Sequence, residues 1–164
     1  MKEILITGNE GFLGSKLTPL LSQEHNVTGW DIKSGKDIFD ENIEDAIAAS
    51  DVVIHLAAKT SVDKSRKQRK RYMYVNAIGT SRILNFCIKH KKKMVYASTA
   101  AYYNRELSPY ASSKSIGDDL CQAAQAYHPI TILRFYNIFG PGMNSSTGSI
   151  MYQFAQGAKK GEIQ

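Results

Sequence analysis

Long apolar runs and cysteines are the features that this sequence has least of. No window of about eighteen apolar residues occurs, so the sequence predicts no transmembrane helix. Only two cysteines, Cys87 and Cys121, are present, and neither lies in a C-x-x-C pair or in a Cys/His group with metal-ligand spacing. A disulfide framework and a metal site are therefore not predicted, and both thiols are expected to be buried and reduced.

The amino terminus also lacks the pattern of a secretory leader. It enters a short β-like stretch directly, where a leader would have basic, then apolar, then small residues. No low-complexity segment or internal repeat interrupts the chain. With 43% hydrophobic and 22% charged residues among 164, the composition is typical of a single globular domain over residues 1–164, which we expect to be cytoplasmic.

Positive charge is the strongest bias in the composition. The formal net charge is +6, and it is concentrated in residues 64–71 and residues 89–93. Such runs can bind phosphate or nucleic acid, but no stacking aromatic residues are interleaved with them, and no zinc finger or RNA-recognition motif is present. We interpret both runs as solvated surface charge, and nucleic-acid binding stays as a less favoured alternative.

Apolar runs of strand length alternate with amphipathic stretches of helix length. This alternation predicts a doubly wound parallel sheet, a Rossmann-like three-layer α/β/α fold. The link between residues 31 and 37 is too short for a crossover helix, so a strand at residues 36–38 would be vestigial. Pro19 falls inside the first helix and is expected to kink it. The predicted strands are residues 3–7, 26–31, 51–56, 93–98 and 130–135, and the predicted helices are residues 12–24, 42–49, 72–88 and 110–127.

A glycine-rich turn separates the first predicted strand from the first predicted helix. Gly8, Gly11 and Gly14 permit a tight turn and a close approach of the backbone to a pyrophosphate, which the positive end of the helix dipole attracts. Asp31 ends the second strand, about twenty residues after Gly11, where a carboxylate can accept hydrogen bonds from an adenosine ribose. Because that carboxylate would repel a 2′-phosphate, the sequence favours NAD over NADP as cofactor, although Lys33 could neutralise such a phosphate.

Tyr110 and Lys114 form a Y-x-x-x-K pair on one face of a helix that begins after Pro109. A neighbouring cation favours tyrosinate, so Lys114 is expected to lower the pKa of Tyr110 and let it act as a base. Lys114 could also hold a ribose hydroxyl. Taken alone, such a pair is more often structural than catalytic.

Six segments occur in the order and character of one family. They are residues 8–14 with the three glycines, 53–58 (V-I-H-L-A-A), 74–80 (Y-V-N-A-I-G-T), 98–101 (S-T-A-A), 109–114 (P-Y-A-S-S-K) and 134–141 (R-F-Y-N-I-F-G-P). Together they resemble the extended short-chain dehydrogenase/reductase family, which includes NAD-dependent epimerases and dehydratases of nucleotide-sugars.

This resemblance implies an activity, a cofactor and a set of site residues. Hydride would pass between a sugar hydroxyl or ketone and NAD, with Thr99 hydrogen-bonding the substrate, Tyr110 moving its proton, and Lys114 tuning Tyr110 and binding the nicotinamide ribose. The implied substrate-binding residues are Thr99, Ala100 and Asn137. The implied cofactor-binding residues are Gly8, Gly11, Phe12, Leu13, Gly14, Asp31, Ile32, Asp37, Ile38, Leu56, Ala57, Ala58, Asn76, Tyr110, Lys114 and Phe135.

The sequence departs from the family in two places. Members usually continue into a smaller domain that grips the nucleotide-sugar, so a C-terminal truncation is expected, with the strand at residues 130–135 near an open sheet edge. The loop between Tyr103 and Tyr110 is short and lacks the usual glycine at Asn104. A truncated or degenerate protein that binds NAD without catalysis is therefore the alternative to an enzyme.

The resemblance also bears on partners. Members commonly dimerise through the two helices that correspond to residues 72–90 and 110–127 of this chain. A homodimer is therefore expected, with a nucleotide-sugar as the small-molecule substrate and no membrane association.

Overall fold

The sheet of the protein consists of five parallel strands. A computed structural model describes residues 1–143 and 150–161. In sheet order the strands are β2, β1, β3, β4 and β5. Their bounds are β1 Glu3–Thr7, β2 Asn26–Trp30, β3 Val52–His55, β4 Lys93–Thr99 and β5 Ile130–Phe135.

Helices connect successive strands. Among the described residues the α-helices are α1 Gly14–Leu21, α2 Ile43–Ala48, α3 Val62–Lys67, α4 Arg69–Tyr72, α5 Gly79–Lys89, α6 Pro109–Ala124 and α7 Ile150–Lys160. A π-helical segment, Met73–Ile78, joins α4 to α5. Two 3-10 segments, Ile32–Ser34 and Ala100–Leu107, follow β2 and β4.

The predicted doubly wound parallel sheet is confirmed, and all five predicted strands are present. Residues 36–38 form no strand. Instead, the Asp31 side chain caps the 3-10 turn that follows β2, and the Phe39 N–H donates to Asp37 Oδ1. The chain thus returns to the sheet at β3 after only a short helix, because the link leaves no room for a further strand and its crossover.

Two local expectations concern the first helix and the last strand. Helix α1 begins at Gly14, later than predicted, because the residues before it form the glycine turn, and Pro19 lies inside its described span. Strand β5 pairs with β4 alone in the part of the chain that the structure describes. The expected edge position of β5 is therefore confirmed.

The core lies between the sheet and helices α2, α5 and α6. Leu5 and Val53 from neighbouring strands are fully buried, and each such side chain contributes about 1.5–3 kcal/mol of hydrophobic stabilisation. Both cysteines are buried and unpaired, as predicted. The helical residues that complete this core are Ile43, Ile47, Ile83, Leu84, Cys87, Cys121 and Ala124.

None of the helices in residues 1–143 and 150–161 is both long enough and apolar enough to cross a membrane.

Candidate active site

A cleft of about 950 Å³ opens at the carboxyl ends of the strands. Strands β2 and β3 flank β1 on opposite sides, so the connections that leave β1 and β3 turn away from each other above the sheet. In open parallel sheets this point of reversal is where ligands bind. The topology alone therefore places a binding crevice beside the end of β1.

The glycine turn forms one wall of the cleft. The Gly8 N–H donates to the Trp30 carbonyl over 2.8 Å, and Gly8 has a φ of 76°. A Cβ at Gly8 would lie 2.7 Å from the backbone nitrogen of Ala57. Only glycine fits this position, because both the conformation and the neighbouring backbone exclude a side chain.

The turn also presents unused hydrogen-bond donors to the cleft. The N–H of Gly11 donates to Gly8 O over 3.1 Å, whereas those of Phe12 and Leu13 have no protein acceptor among residues 1–143 and 150–161. Both residues line the cleft, and helix α1 has no acidic side chain in its first turn. Free N–H groups at a helix amino terminus suit an anion such as a pyrophosphate.

Asp31 holds the next part of the wall. Its carboxylate is 7% exposed, and it accepts the Glu10 N–H at 2.9 Å and the Lys33 N–H at 3.0 Å. The Lys33 ammonium donates to the Glu10 carbonyl over 2.6 Å. The carboxylate thus links the glycine turn to the 3-10 segment and still has lone pairs for a ribose hydroxyl.

Trp30, Asp37 and Ile38 line the same end of the cleft. The indole N–H of Trp30 donates to the Asp37 carbonyl over 2.8 Å, which fixes the short link that replaces a strand. Trp30 is the single tryptophan of the chain. Its fluorescence therefore reports on this end of the cleft alone.

Thr99, Tyr110 and Lys114 line the opposite end of the cleft. Thr99 is the last residue of β4. Helix α6 presents the other two because it starts with Pro109 and is capped by Ser108, whose Oγ accepts the Ala111 N–H at 3.0 Å. Thr99 lies near enough to the Tyr110 phenol to influence its pKa. Three side chains able to hydrogen-bond one substrate oxygen are therefore grouped together.

Burial sets the protonation of this group. It raises the pKa of Tyr110, and the neighbouring Thr99 lowers it by less. Burial also lowers the pKa of Lys114 to about 7, while the ammonium lies 4.2 Å from the Tyr96 ring centroid. The pKa of Tyr110 is thus shifted in the direction opposite to the one expected from the Y-x-x-x-K pair, because desolvation by burial is the largest contribution.

Most of the residues predicted for the site are brought together by the fold. Two are not: Ala100 and Asn76 lie outside the lining of the cleft. Asn76 is fully buried, and its side chain bonds the backbone of Lys59 and the hydroxyl of Ser113. The predicted residues that line the cleft are Gly8, Gly11, Phe12, Leu13, Gly14, Asp31, Ile32, Asp37, Ile38, Leu56, Ala57, Ala58, Thr99, Tyr110, Lys114, Phe135 and Asn137.

Sequence reasoning missed other residues of the lining. Trp30, Lys59 and Arg71 are among them. Arg71 belongs to the basic run that we interpret as solvated surface; it is exposed, as that interpretation expects, but it also lines the cleft. The second basic run, residues 89–93, agrees better with the interpretation as surface charge, since Lys89 and His90 both contact the surface carboxylate of Glu44.

This fold and this cleft define a dinucleotide-binding α/β protein. The family follows from the sequence comparison. A family model described as "NAD dependent epimerase/dehydratase family" matches residues 4–164, and the chain belongs to that family.

Several similar proteins are named for a nucleotide-sugar. A UDP-N-acetyl-alpha-D-glucosaminuronate decarboxylase of Bacillus cytotoxicus is 30% identical over 98% of this chain and 62% of its own length. A UDP-glucose 4-epimerase of Halalkalibacterium halodurans is 31% identical over 88% of this chain and 53% of its own. A solved structure of MoeE5 in complex with UDP-glucose and NAD is 27% identical, with a TM-score of 0.83 over 98% of this chain and 62% of that one.

The chain spans roughly half to three fifths of the length of these relatives. It is also shorter within the matched region. The alignment with the decarboxylase extends over 201 positions, whereas the chain has 164 residues, so a few dozen positions of the relative have no counterpart here. The short link after β2 and the short loop before Tyr110 agree with this difference.

The low pKa of Lys114 predicts a pH dependence of stability. An unfolded lysine titrates near 10.5, so between pH 7 and that value the unfolded chain binds more protons than the folded chain. The free energy of unfolding must therefore rise with pH relative to a variant without this amine. Against Lys114→Met, we expect the wild type to gain about 2 kcal/mol between pH 7 and pH 9, measured by urea unfolding. Parallel pH profiles for the two proteins would contradict this assignment.

Proposed function

We propose that this cleft binds NAD and that the chain supplies the cofactor domain and the proton-transfer residues of a nucleotide-sugar epimerase or dehydratase. One observation carries the proposal: the glycine turn with Asp31 and the Thr99, Tyr110 and Lys114 group line the same cleft. The first group suits the pyrophosphate and adenosine ribose. The second suits the nicotinamide end, where a sugar hydroxyl would react.

The glycine turn and its neighbours fit the dinucleotide. The free N–H groups of Phe12 and Leu13 would bind the pyrophosphate, and Asp31 would accept hydrogen bonds from the adenosine ribose. The adenine would lie against Ile32, Asp37 and Ile38. When bound, NAD supplies a hydride acceptor and, once reduced, a hydride donor.

Tyr110 would take the proton of a sugar hydroxyl and return it to the ketone that forms. Thr99 would position that oxygen by a hydrogen bond while Lys114 binds the nicotinamide ribose. Since burial raises the pKa of Tyr110, proton removal needs a nearby positive charge. A protonated Lys114 supplies one, and the positive charge of oxidised NAD would add to it.

The substrate class is a proposal based on the relatives and on the far wall of the cleft. The matched proteins are named for UDP- and dTDP-sugars. Asn137 lines the cleft beyond Phe135 and would meet the substrate diphosphate, with Ala100 near the sugar. In the non-catalytic alternative, the cleft binds NAD but the protein does not convert a sugar.

Cofactor binding is tested by titrating NAD into the protein and following Trp30 fluorescence, with calorimetry as a second measurement. We expect binding, and we expect Gly11→Ala to weaken it about tenfold or more. A Cβ at Gly11 has only the Gly8 carbonyl oxygen nearby, at 3.2 Å, so the variant should fold and the methyl group should fill the pyrophosphate site.

Asp31→Asn is the second variant in this test. Loss of the carboxylate should weaken NAD binding and reduce the preference of the protein for NAD over NADP. Asp51→Asn serves as the control because its side chain caps the start of β1, far from the cleft. Absence of any NAD signal in the wild type, with the protein folded by circular dichroism, would defeat the cofactor proposal.

Catalysis is tested with Tyr110→Phe, which removes one hydroxyl and keeps the ring. We expect conversion of UDP-glucose or dTDP-glucose to fall at least about a hundredfold, because proton transfer is lost, with NAD affinity nearly unchanged. Tyr127→Phe, on an exposed ring beyond α6, is the matched control. Wild-type protein that binds NAD and converts no sugar would favour the non-catalytic alternative.

We also propose a homodimer through the outer face of α6. Ile116 and Leu120 are exposed there, one helical turn apart, as in a packed helix pair. Leu120→Lys should shift sedimentation from dimer to monomer, whereas Leu20→Lys on α1, also exposed, should not. A wild-type monomer at micromolar concentration would contradict the dimer.

A further inference from the structure

One wall of the cleft carries two cations that the proposed NAD site does not use. Lys59 follows β3 and is half-buried, and Arg71 lies on α4 and is exposed. Both line the cleft. Lys64 on α3 lies close enough for its charge, after burial and after the charge of Arg71, to lower the pKa of Lys59. Positive charge is therefore concentrated at this wall.

Neither Lys59 nor Arg71 makes an ion pair in the described part of the chain. The ion pairs found there involve Glu44, Asp118 and Asp119, all elsewhere. Like charges that are held near each other at a partly buried site raise the free energy of the fold unless an anion lies between them. The arrangement therefore favours an anionic ligand.

The buried side chain of Asn76 holds the backbone of Lys59 in a fixed position relative to Tyr110. The Lys59 N–H donates to Asn76 Oδ1 over 2.8 Å, and the Lys59 carbonyl accepts from Asn76 Nδ2 at 3.0 Å. The same amide nitrogen donates to Ser113 Oγ over 3.0 Å, and that hydroxyl donates to the Tyr110 carbonyl over 2.9 Å. The backbone position from which the Lys59 side chain extends is thus fixed by the fold.

These cations lie at the Tyr110 end of the cleft. The Lys59 ammonium is 5.8 Å from the Tyr72 ring centroid, and the Tyr72 hydroxyl is near enough to influence the ionisation of Tyr110. At the other end, Lys33 donates to the Glu10 carbonyl. The Asp31 end thus has its own cation, and Lys59 and Arg71 are available to the substrate.

We propose that Lys59 and Arg71 form an anion subsite that binds a carboxylate or phosphate oxygen of the substrate beside Tyr110. The guanidinium can hold two oxygens of one group, and the ammonium adds a point charge. An acid group on the sugar and the nucleotide diphosphate are the two sources of such an oxygen. This inference rests on the proposed function, since it assumes that a substrate enters the NAD-loaded cleft.

The test compares UDP-glucuronic acid with UDP-glucose, which differ by one carboxylate, in calorimetric titrations of the NAD-loaded protein. The variants are Lys59→Met, which keeps the apolar stem, and Arg71→Gln. Lys67→Met, an exposed position on α3 that does not line the cleft, loses the same charge and is the control. Melting temperatures establish that each variant is folded.

We expect each cleft variant to weaken substrate binding about tenfold or more, the loss for one charge-assisted hydrogen bond. A loss confined to UDP-glucuronic acid supports the subsite and identifies a sugar carboxylate as its ligand. An equal loss for both sugars supports it and identifies the diphosphate.

Three results would overturn the subsite. They are weaker NAD binding with unchanged sugar binding, losses no larger than those of Lys67→Met, and a wild-type protein that binds NAD but neither sugar. In each of these results NAD still binds, so the cofactor half of the proposed function would stand while the subsite fails. Failure of NAD binding itself would instead refute the proposed function.

Discussion

The close approach of Gly8 to the backbone of Leu56 and Ala57 is the contact on which the cleft depends. The ends of two adjacent parallel strands, β1 and β3, meet there, and a Cβ at Gly8 would overlap the other chain segment. Because no side chain separates them, the glycine turn and the segment after β3 face one narrow crevice. The residues proposed to contact the pyrophosphate and the adenosine ribose lie directly before α1 or directly after β2.

A buried polar network joins that crevice to the proton-transfer residues. Neutral His55 at the end of β3 bonds Thr7 at 2.7 Å and Thr80 at 3.1 Å, and burial lowers the pKa of this imidazole to about 3. Thr80 donates to the Asn76 carbonyl, and Asn76 reaches α6 through Ser113. Five elements are thus tied through satisfied polar groups, which specify one arrangement where apolar contacts would allow several.

Ion pairs hold the short segment that precedes α6. Arg105 makes two hydrogen bonds to Asp119 on α6, and Arg134 of β5 pairs with Asp118 while its guanidinium stacks on Tyr102. These contacts anchor residues 100–107 to α6 and β5. The same contacts fix the segment that leads into the amino end of α6, where Tyr110 lies.

Some features of this protein follow from the sequence by itself. Strand and helix periodicity, with the positions of Gly8, Gly11 and Gly14, predicted the parallel sheet and the phosphate-binding turn, because these depend on local backbone freedom and on the alternation of apolar residues. The Y-x-x-x-K spacing likewise predicted that Tyr110 and Lys114 share a helical face.

Other features were decided only by the tertiary structure. Whether Asn76 faces the cofactor or clamps Lys59, and whether Arg71 contacts solvent alone or also lines the cleft, depends on which helices meet above the sheet. Residues far apart in sequence determine that arrangement. They also determine the desolvation that raises the pKa of Tyr110 and the absence of a strand at residues 36–38. Local pattern reports the conformation of a segment, whereas burial and charge at a site are properties of all the segments that surround it.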